Sequence, residues 1–475
     1  MPRKRQPAEV NKGPFTEGHG LVPGAALYQK VREAISVKQF TGEDWPAAEI
    51  DQSGVKAMAT VQPDPESLVR LSGTELQHAK AKMWELVRGM DDATADVLDA
   101  VSCLWINQAS SKDQMVWLTA DQFLAFRGLQ LNRNAAGRES GYKDHQRRMI
   151  AEQLVRLENT WIDVMEMEML EEYHTKGGEP RRRRRKWKGR SRALIRSSEV
   201  GQTTLDGGID PYAWRIRPGD VFSEFLLGPG RDVVLLSRKA LEYDPYRQDV
   251  EKRLARYFAY HWRTASEGGS PRFTVIELLE AAHKPFVSRR AQDIKRRLEQ
   301  AILRLALDDV ITIPGLYDEA HRLMPEVERR FVAQVVPELC AAGRLVIGDF
   351  LYGDAFPDEE VGTAGWAQRW LQMPVRIAPP PILLSLYAEG VTSVLPKPGQ
   401  GESAQPDSST KAVRRDLVAR FIEVREKRGM AKADAAAELG VSKSLLTLVE
   451  SRSRKPSKKM AQLMEEWLNR TVSEV

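Results

Sequence analysis

Apolar residues recur at steps of three and four through residues 287–312, which read VSRRAQDIKRRLEQAILRLALDDVIT. Such spacing places them on one face of a helix, and the stripe consists of Val287, Ala291, Ile294, Leu298, Ile302 and Leu305. Because each residue turns the helix by about 100°, Arg289, Gln292 and Arg296 fall on the opposite face. The pattern predicts one long basic helix leading directly into a strand, with one face on a core and the other open to an acidic partner. The alternative is a charged face that contacts only solvent.

The same order of elements occurs twice in the chain. Thr119 and Thr274 each precede a short apolar helix and carry Gln or Glu three residues later, which is the capping-box pattern. A longer amphipathic helix precedes each threonine, at 91–108 and at 247–266, and a further helix with one apolar face follows. Corresponding positions are separated by about 150 residues throughout. Three matching helices in the same order predict tandem domains of one fold.

A half-buried strand is predicted where Met165, Met167 and Met169 alternate with glutamates. The chain then becomes strongly basic, since RRRRRKWKGRSRALIR at 181–196 contains ten Lys or Arg and no acid. With 193–200 as the return strand, these residues predict a long β-hairpin with a basic tip. An arginine tract of this kind can reach a minor groove or phosphates, and the alternative is a solvated loop. The candidate contact residues are Arg181, Arg182, Arg183, Arg184 and Arg185.

Composition divides the chain into five segments. Residues 394–411 are rich in Pro, Gly, Ser and Gln with little apolar content, which is typical of a linker. Residues 1–66 show no sustained period apart from a short helix at 26–37, which predicts a flexible arm. The predicted segments are the arm (1–66), a first repeated domain with the Arg-rich hairpin as an insertion (67–225), a second repeated domain (226–393), the linker (394–411) and a C-terminal domain (412–475).

The C-terminal domain has the most specific pattern. In MAKADAAAELGVSKSLLTLVE, Gly440 is placed to end one helix and Ser442 to cap the next. This segment resembles the lambda-repressor-like (XRE-type) helix-turn-helix family, over residues 414 to about 470. The resemblance implies that the third helix of the domain enters the major groove of DNA. The implied DNA contacts are base contacts by Lys443, Ser444 and Thr447 and phosphate contacts by Lys432, Arg452 and Arg454.

The tandem domains resemble a second family. RQDVEKRLARYFAYHWR, followed by FTVIELLEAA and RRLEQAILRLALDDVIT, is similar to plasmid replication initiators with two winged-helix domains, over roughly residues 70–390. The resemblance implies that the third helix of the second domain, with Arg289, Gln292 and Arg296, reads repeated origin sequences. It also implies that the first domain mediates dimerisation and assists DNA contact, and Arg148 lies on its corresponding helix.

The two resemblances complete the predicted fold class, which is mainly α with small β-hairpins (α+β), in two tandem winged-helix domains and a C-terminal all-α helix-turn-helix domain. The implied function is a plasmid replication initiator that binds direct repeats in double-stranded DNA, forms a homodimer and recruits host replication proteins. The appended helix-turn-helix and the Arg-rich hairpin depart from that family. They leave open a transcriptional regulator, such as a repressor, or a mobile-element control protein acting through the C-terminal domain.

Composition limits the classes of partner and compartment. The formal net charge is +5 and the pI is near 9.0, which alone gives weak support for a nucleic-acid partner. No apolar run reaches the ~18 residues of a membrane helix, and the basic N-terminus lacks the apolar core of a secretion signal. Cys103 and Cys340 lie in apolar contexts that fit buried thiols in a reducing cytoplasm. We expect no membrane partner and a cytoplasmic location on the nucleoid or a plasmid.

Catalytic and cofactor motifs are missing from the sequence. It contains no G-x-x-x-x-G-K-[ST] and no Cys/His spacing suited to zinc, so neither an ATPase nor a metal site is expected. His145 and Arg148 form an H-x-x-R, as in tyrosine recombinases, and Tyr173 follows downstream. That box arises easily in a basic helix. The prediction is a protein that is not an enzyme and needs no cofactor, with a recombinase as the catalytic alternative.

Overall fold

The structure is a computed structural model in which the chain divides into two compact units, residues 1–400 and 401–475. It describes residues 18–52, 54–133, 139–174, 180–203, 209–228, 230–266, 272–314, 351–352, 365–388, 425, 430–439, 441, 447 and 467. The division between the units falls inside the predicted linker, 394–411, and both predicted repeated domains lie in the first unit. Within the described part of the chain, no helix is long and apolar enough to cross a membrane.

The fold is α+β. The helices of the first unit are α1 (Ala26–Val37), α2 (Pro65–Leu68), α3 (Gly73–Arg88), α4 (Asp92–Ile106), α5 (Ala120–Phe126), α6 (Asp144–Glu158), α7 (Asp220–Leu227), α8 (Lys239–Glu242), α9 (Asp249–Ser266), α10 (Val275–Ala281), α11 (Ala291–Leu307), α12 (Trp366–Leu371) and α13 (Pro381–Ala388). The strands are β1 (His19–Pro23), β2 (Ala47–Gln52), β3 (Val55–Val61), β4 (Val116–Thr119), β5 (Asn132–Arg133), β6 (Glu139–Gly141), β7 (Thr160–His174), β8 (Pro180–Arg192), β9 (Leu194–Thr203), β10 (Ile209–Pro218), β11 (Val233–Ser237), β12 (Phe273–Thr274) and β13 (Pro374–Val375). In the second unit, α14 is Lys432–Glu438.

The N-terminal region is part of the core, and the prediction of a flexible arm over 1–66 is wrong for its described residues from 18 onwards. β1 pairs antiparallel with β11, and β2 and β3 pair with each other. The predicted helix at 26–37 is present as α1, with Leu27, Val31 and Ile35 fully buried. Strands β1, β2 and β3 were not predicted because each is short. In addition, β1 and β3 pair with strands far away in the sequence, β11 and β7.

The first repeat places three helices around a small sheet. α4 begins at a capping box on Asp91, and α5 begins at the predicted capping box on Thr119. β4, between these helices, pairs with β10, and β10 pairs with β9, so the sheet order is β4-β10-β9. The strand before α5 therefore pairs with the last strand of the repeat, and that last strand also pairs with a strand that follows α6.

In the second predicted repeat, a short strand likewise precedes the second helix and pairs with a later strand. α10 begins at the predicted capping box on Thr274, and β12 pairs with β13. Just beyond β13, Ala378 forms a bridge with Thr312, which follows α11. The stretch that was predicted as one helix from Val287 begins instead with a 3-10 turn at Ser288–Arg290, and α11 starts at Ala291. The predicted strand after α11 is reduced to the bridge at Thr312.

The Arg-rich block is a strand rather than a tip, which corrects the predicted hairpin. β8 pairs antiparallel with β7 from Trp161↔Arg192 to His174↔Pro180, in a sheet ordered β2-β3-β7-β8. Residues 193–200, predicted as the return strand of this hairpin, belong mostly to β9, which forms a second long hairpin with β10. The hairpins are therefore not small, because β7 has 15 residues and β8 has 13.

Candidate nucleic-acid interface

The exposed face of α11 carries the residues predicted to face away from the core. Ala291, Leu298 and Ile302 are buried, whereas Arg289, Gln292 and Arg296 are exposed. The Arg296 side chain is 68% exposed, and among the described acids it approaches only Asp293, with 3.7 Å between Nη2 and Oδ1. An exposed pair of this kind is worth little, so Arg296 can exchange it for a phosphate at small cost.

Other basic residues of α11 have structural partners. Arg297 donates from Nη1 and Nη2 to both carboxylate oxygens of Glu251 on α9, at 2.7 and 2.6 Å. These hydrogen bonds raise the pKa of the Arg297 guanidinium. Lys295 is buried and pairs with Glu299, and Arg304 pairs with Asp308. The basic residues of this helix therefore divide into an outward set and a set paired with acids, of which Arg297 attaches the helix to α9.

On α6, the corresponding helix of the first repeat, Arg148 is exposed and forms no ion pair with a described residue. Its neighbour Arg147 donates from Nε and Nη2 to the Asp121 carboxylate, at 2.7 and 3.1 Å. The apolar residues Ile150, Leu154 and Leu157 are fully buried on the other face. His145 is exposed as well. The side chain of Tyr173, the third member of the recombinase alternative, lies outside the described residues.

The arginine tract lies opposite an acidic strand. In the register of β7 and β8, Lys186 faces Glu168 and Arg183 faces Glu171. β8 carries nine Lys or Arg and β7 carries five Asp or Glu, so four positive charges are in excess. The exposed tract residues are Arg183, Arg184 and Arg185, and Arg184 approaches Glu168 at 3.5 Å. Arg181 and Arg182 lie in β8 by their backbone, and their side chains are outside the described residues.

The base of this hairpin has a feature that the sequence analysis missed. The guanidinium carbons of Arg190 and Arg192 lie 4.9 and 4.6 Å from the ring centre of Trp161, and Arg190 pairs with Asp163 at 3.0 Å. Cation–π contacts of this kind hold the two arginines against the sheet. The alternation of basic residues along 186–192 is the signal that indicates a strand.

A buried ion network joins the two repeats, and it was also missed. Asp92, Asp96 and Asp99 recur along one face of α4, and all three are almost fully buried. Arg256 on α9 donates from Nη1, Nη2 and Nε to these three carboxylates in turn, at 3.2, 2.6 and 2.9 Å. Lys252 on α9 lies 2.9 and 3.0 Å from the two Asp96 oxygens. The signal in the sequence is a set of acids at helical spacing inside an otherwise apolar helix.

Three further cations complete this network. Arg127 contacts Asp96 at 3.1 Å, Arg32 contacts Asp99 at 3.4 Å, and Arg253 contacts Asp92 at 2.9 Å. Five cations therefore surround three carboxylates. Burial is the main cause that lowers the pKa of Lys252 to about 8, although Asp96 opposes the shift. The same three carboxylates outweigh burial at Arg256 and raise the pKa of its guanidinium.

A cleft of about 390 Å³ lies between α1, α9 and α10, with Arg253, Tyr257, Tyr260, His261, Glu280 and His283 among its lining residues. Two of its basic side chains have acidic neighbours, since Arg253 contacts Asp92 and His283 Nε2 lies 3.2 Å from Glu33 Oε1. Burial alone would raise the pKa of Glu33, but hydrogen bonds with His283 and Lys30 lower it to about 2. Across the described residues, no group of three His, Cys, Asp or Glu is arranged to hold a metal ion.

In the second unit, α14 buries Ala435 and Ala436, and Leu439 just beyond it is also buried. These are the small and apolar positions that face a core in the predicted second helix of the domain. Lys432 and Thr447 are exposed. The other predicted contact residues, Lys443, Ser444, Arg452 and Arg454, lie outside the described residues. Trp467 Nε1 donates to Glu438 Oε2 at 2.6 Å, which attaches the C-terminal part of the unit to α14.

Two solved structures are similar to this chain at low identity. A crystal structure of selenomethionine derivatives of domains 2 and 3 of RctB is 14% identical, covers 58% of this chain and 85% of that chain, and gives a TM-score of 0.29. A second crystal structure of RctB domains 2–3 is 15% identical, covers 56% and 79%, and gives a TM-score of 0.28. TM-scores of this size do not establish a shared fold. No curated protein matches the chain. Residues 422–475 match the family described as helix-turn-helix, so the C-terminal unit contains a helix-turn-helix domain, as the sequence predicted.

Proposed function

We propose that this protein is a sequence-specific double-stranded DNA-binding protein without enzymatic activity. The observation that carries the proposal is the helix-turn-helix match over 422–475, in a unit where Lys432 and Thr447 are exposed beside buried Ala435 and Leu439. Helix-turn-helix domains place their recognition helix in the major groove. The test is selection of binding sites from a random duplex library by the full chain, followed by affinity measurement on the enriched site. Failure to enrich any sequence contradicts the proposal.

We further propose that the two repeats of the first unit are winged-helix domains, with α6 and α11 as their third helices. The support is that the strand before the second helix pairs with a later strand in each repeat, β4 with β10 and β12 with β13. The second support is that each third helix buries an apolar face and exposes basic residues, Arg148 on α6 and Arg296 on α11, with Arg289 exposed in the 3-10 turn just before α11. Protection of two separate grooves by the first unit in a footprint supports this proposal.

The hairpin of β7 and β8 is a weaker candidate for DNA contact than the composition of the tract indicates. Its acidic strand compensates part of the charge, and Arg184 and Arg190 approach acids on β7. The excess of positive charge supports contacts to phosphates, which are independent of sequence. Replacing Arg183–Arg185 with glutamine is expected to weaken binding to all DNA sequences alike, as measured by fluorescence anisotropy on specific and random duplexes.

Among DNA-binding functions, we propose initiation of plasmid replication, in which the protein binds direct repeats at an origin and recruits host replication proteins as a homodimer. The support is the resemblance of roughly residues 70–390 to that family. The test is maintenance of a plasmid in a cell supplied only with this protein and a candidate origin. Absence of replication, with the protein bound to the repeats, removes the initiator function. Light scattering of the free and DNA-bound protein tests the homodimer.

The second candidate function is a transcriptional regulator, and the helix-turn-helix domain beyond the predicted linker favours it. Binding at scattered promoters rather than at one repeat array, measured across the genome, supports the regulator over the initiator. A recombinase would leave a covalent protein–DNA adduct that is lost in Tyr173→Phe. We expect no such adduct, because His145 and Arg148 lie on the exposed surface of α6.

A further inference from the structure

The two candidate reading helices are linked by contacts that run through the interior of the first unit. The central contact is the packing of α4 on α9, where Arg256 reaches Asp92, Asp96 and Asp99 and Lys252 reaches Asp96. Asp96, Asp99 and the Lys252 side chain are fully buried. Water cannot replace these contacts without entering the core, so separating the helices would leave buried charges without partners.

Each of the two central helices is attached in turn to one reading helix. On one side, Thr94 of α4 donates a buried hydrogen bond to Gln153 of α6. On the other side, Glu251 of α9 is 5% exposed and accepts the paired hydrogen bonds from Arg297 of α11. A bidentate pair fixes orientation as well as distance. The connection therefore runs from α6 through α4 and α9 to α11 with a polar contact at every junction, buried between α6, α4 and α9 and partly buried between α9 and α11.

We infer that the ion network between α4 and α9 fixes the distance and the helical phase between two DNA half-sites, one contacted by α6 and the other by α11. The inference rests on the proposed function of the first unit. Two domains joined by a flexible tether would tolerate extra base pairs between their half-sites, because the tether adjusts. Two domains joined through a buried network accept one spacing, because the distance between their reading helices cannot change.

The first test uses the full chain and its selected binding site. Hydroxyl-radical footprints of Arg148→Ala and Arg296→Ala assign the half-sites, since each variant is expected to lose protection over a different groove. Five or ten base pairs are then inserted between the half-sites. Both insertions are expected to weaken binding by at least about tenfold, because one set of base contacts is lost. Wild-type affinity for the site with ten inserted base pairs, where the helical phase is restored, overturns the inference.

The second test weakens the network while keeping the fold. Arg253→Met removes a cation that is 17% exposed and leaves Asp92 paired with Arg256. The matched control is Lys284→Met, which breaks the Lys284–Asp249 pair of 2.6 Å within the second repeat. The quantity compared is the factor by which inserted base pairs weaken binding. We expect this factor to fall at least about threefold in Arg253→Met, or in its combination with Lys252→Met, and to stay at the wild-type value in the control. Variants that fold normally and keep the wild-type factor overturn the inference.

The footprints separate this inference from the proposed function. If neither Arg148→Ala nor Arg296→Ala removes protection from any groove, the assignment of α6 and α11 as reading helices is wrong, and the spacing role is wrong with it. If both variants lose protection and the wild-type protein tolerates every spacer, the reading helices stand and the fixed spacing is wrong.

Discussion

Removal of a single carboxylate from the buried network should destabilise the first unit far more than removal of a single cation. Asp96→Asn keeps the shape of the side chain but deprives Lys252, Arg256 and Arg127 of a shared anion. Breaking a buried ion pair from one side typically costs about 3–5 kcal/mol. Lys252→Met, in contrast, leaves Asp96 with two guanidinium partners.

The magnitude for Lys252 follows from its surroundings. Burial lowers the pKa of this side chain from 10.5 to about 8, so the folded protein disfavours the charged form by on the order of 3 kcal/mol. Methionine relieves that penalty but leaves the Ala240 carbonyl, 2.7 Å from Nζ, without its donor, which costs about 1–3 kcal/mol. The two effects nearly cancel, so Lys252→Met should lie within about 1.5 kcal/mol of wild type at pH 7.

The assay is thermal unfolding of the full chain, with the transition of the first unit followed by calorimetry. At about 2.1 cal/mol/K per residue, the 400 residues of this unit have an unfolding entropy of roughly 0.8 kcal/mol/K. A loss of about 4 kcal/mol in Asp96→Asn therefore lowers Tm by roughly 5 °C. The control is Asp121→Asn, which breaks the partly exposed Arg147–Asp121 pair and should cost less than about 1 kcal/mol. Equal effects of Asp96→Asn and Asp121→Asn, or of Asp96→Asn and Lys252→Met, refute the reasoning.

The pH dependence gives a separate check on Lys252. Its pKa is lower in the folded protein, so between about pH 8 and pH 10.5 the unfolded chain binds a proton that the folded chain does not. The contribution of this group to stability therefore rises with pH across that window, and its penalty is fully present below pH 8. Wild type should gain stability relative to Lys252→Met as pH increases from 8 to 10. A difference between them that stays constant over this range contradicts the assignment.

Three further outcomes are expected. The double variant Arg289→Ala/Arg296→Ala should weaken DNA binding and reduce the slope of log K against log salt by about 2. The control is Arg304→Ala, which should leave the slope unchanged because the Arg304 guanidinium pairs with Asp308. Equal slopes for the double variant and the control would place α11 away from DNA. Lys443→Ala or Ser444→Ala should change discrimination at one base pair by ~1–3 kcal/mol in competition binding. If the variants keep the wild-type affinity for every sequence, the helix-turn-helix domain does not read DNA. Thr274→Ala should lower the unfolding free energy by about 1 kcal/mol, because the hydroxyl that accepts a hydrogen bond from the Glu277 N–H is lost. The same calorimetry measures this change, and an unchanged Tm would mean that the cap contributes nothing to stability.

The helices were predictable because their signals are local. The capping boxes at Thr119 and Thr274 satisfy backbone N–H groups within three residues, so the sequence there specifies the helix start without reference to the rest of the fold. The outward orientation of Arg289, Gln292 and Arg296 followed from helical periodicity in the same way. The first turn of that stretch differs, because Arg290 has φ −119° and ψ 18°, which is not helical, and Val287, predicted on the apolar face, is 38% exposed.

The strands show the opposite case. The acidic run that became β7 was identified as a strand from its alternation, but its partner was placed wrongly. The sequence predicts the basic run at 181–196 as the tip of a hairpin, whereas its pairing with the acidic strand β7 is evident only in the register. β1 and β11 are separated by about 200 residues of chain, and no local pattern indicates that they pair.

By itself, the sequence determined the helix starts at Thr119 and Thr274, the outward orientation of Gln292 and Arg296, and the presence of a C-terminal helix-turn-helix domain. Those properties depend on periodicity, capping and turn residues within a few positions. Only the tertiary structure decided that Asp92, Asp96 and Asp99 are buried against Lys252 and Arg256, and that the basic strand pairs with an acidic strand that compensates part of its charge. The energy of a charge depends on its burial and on its distance from other charges, and both are properties of the folded chain.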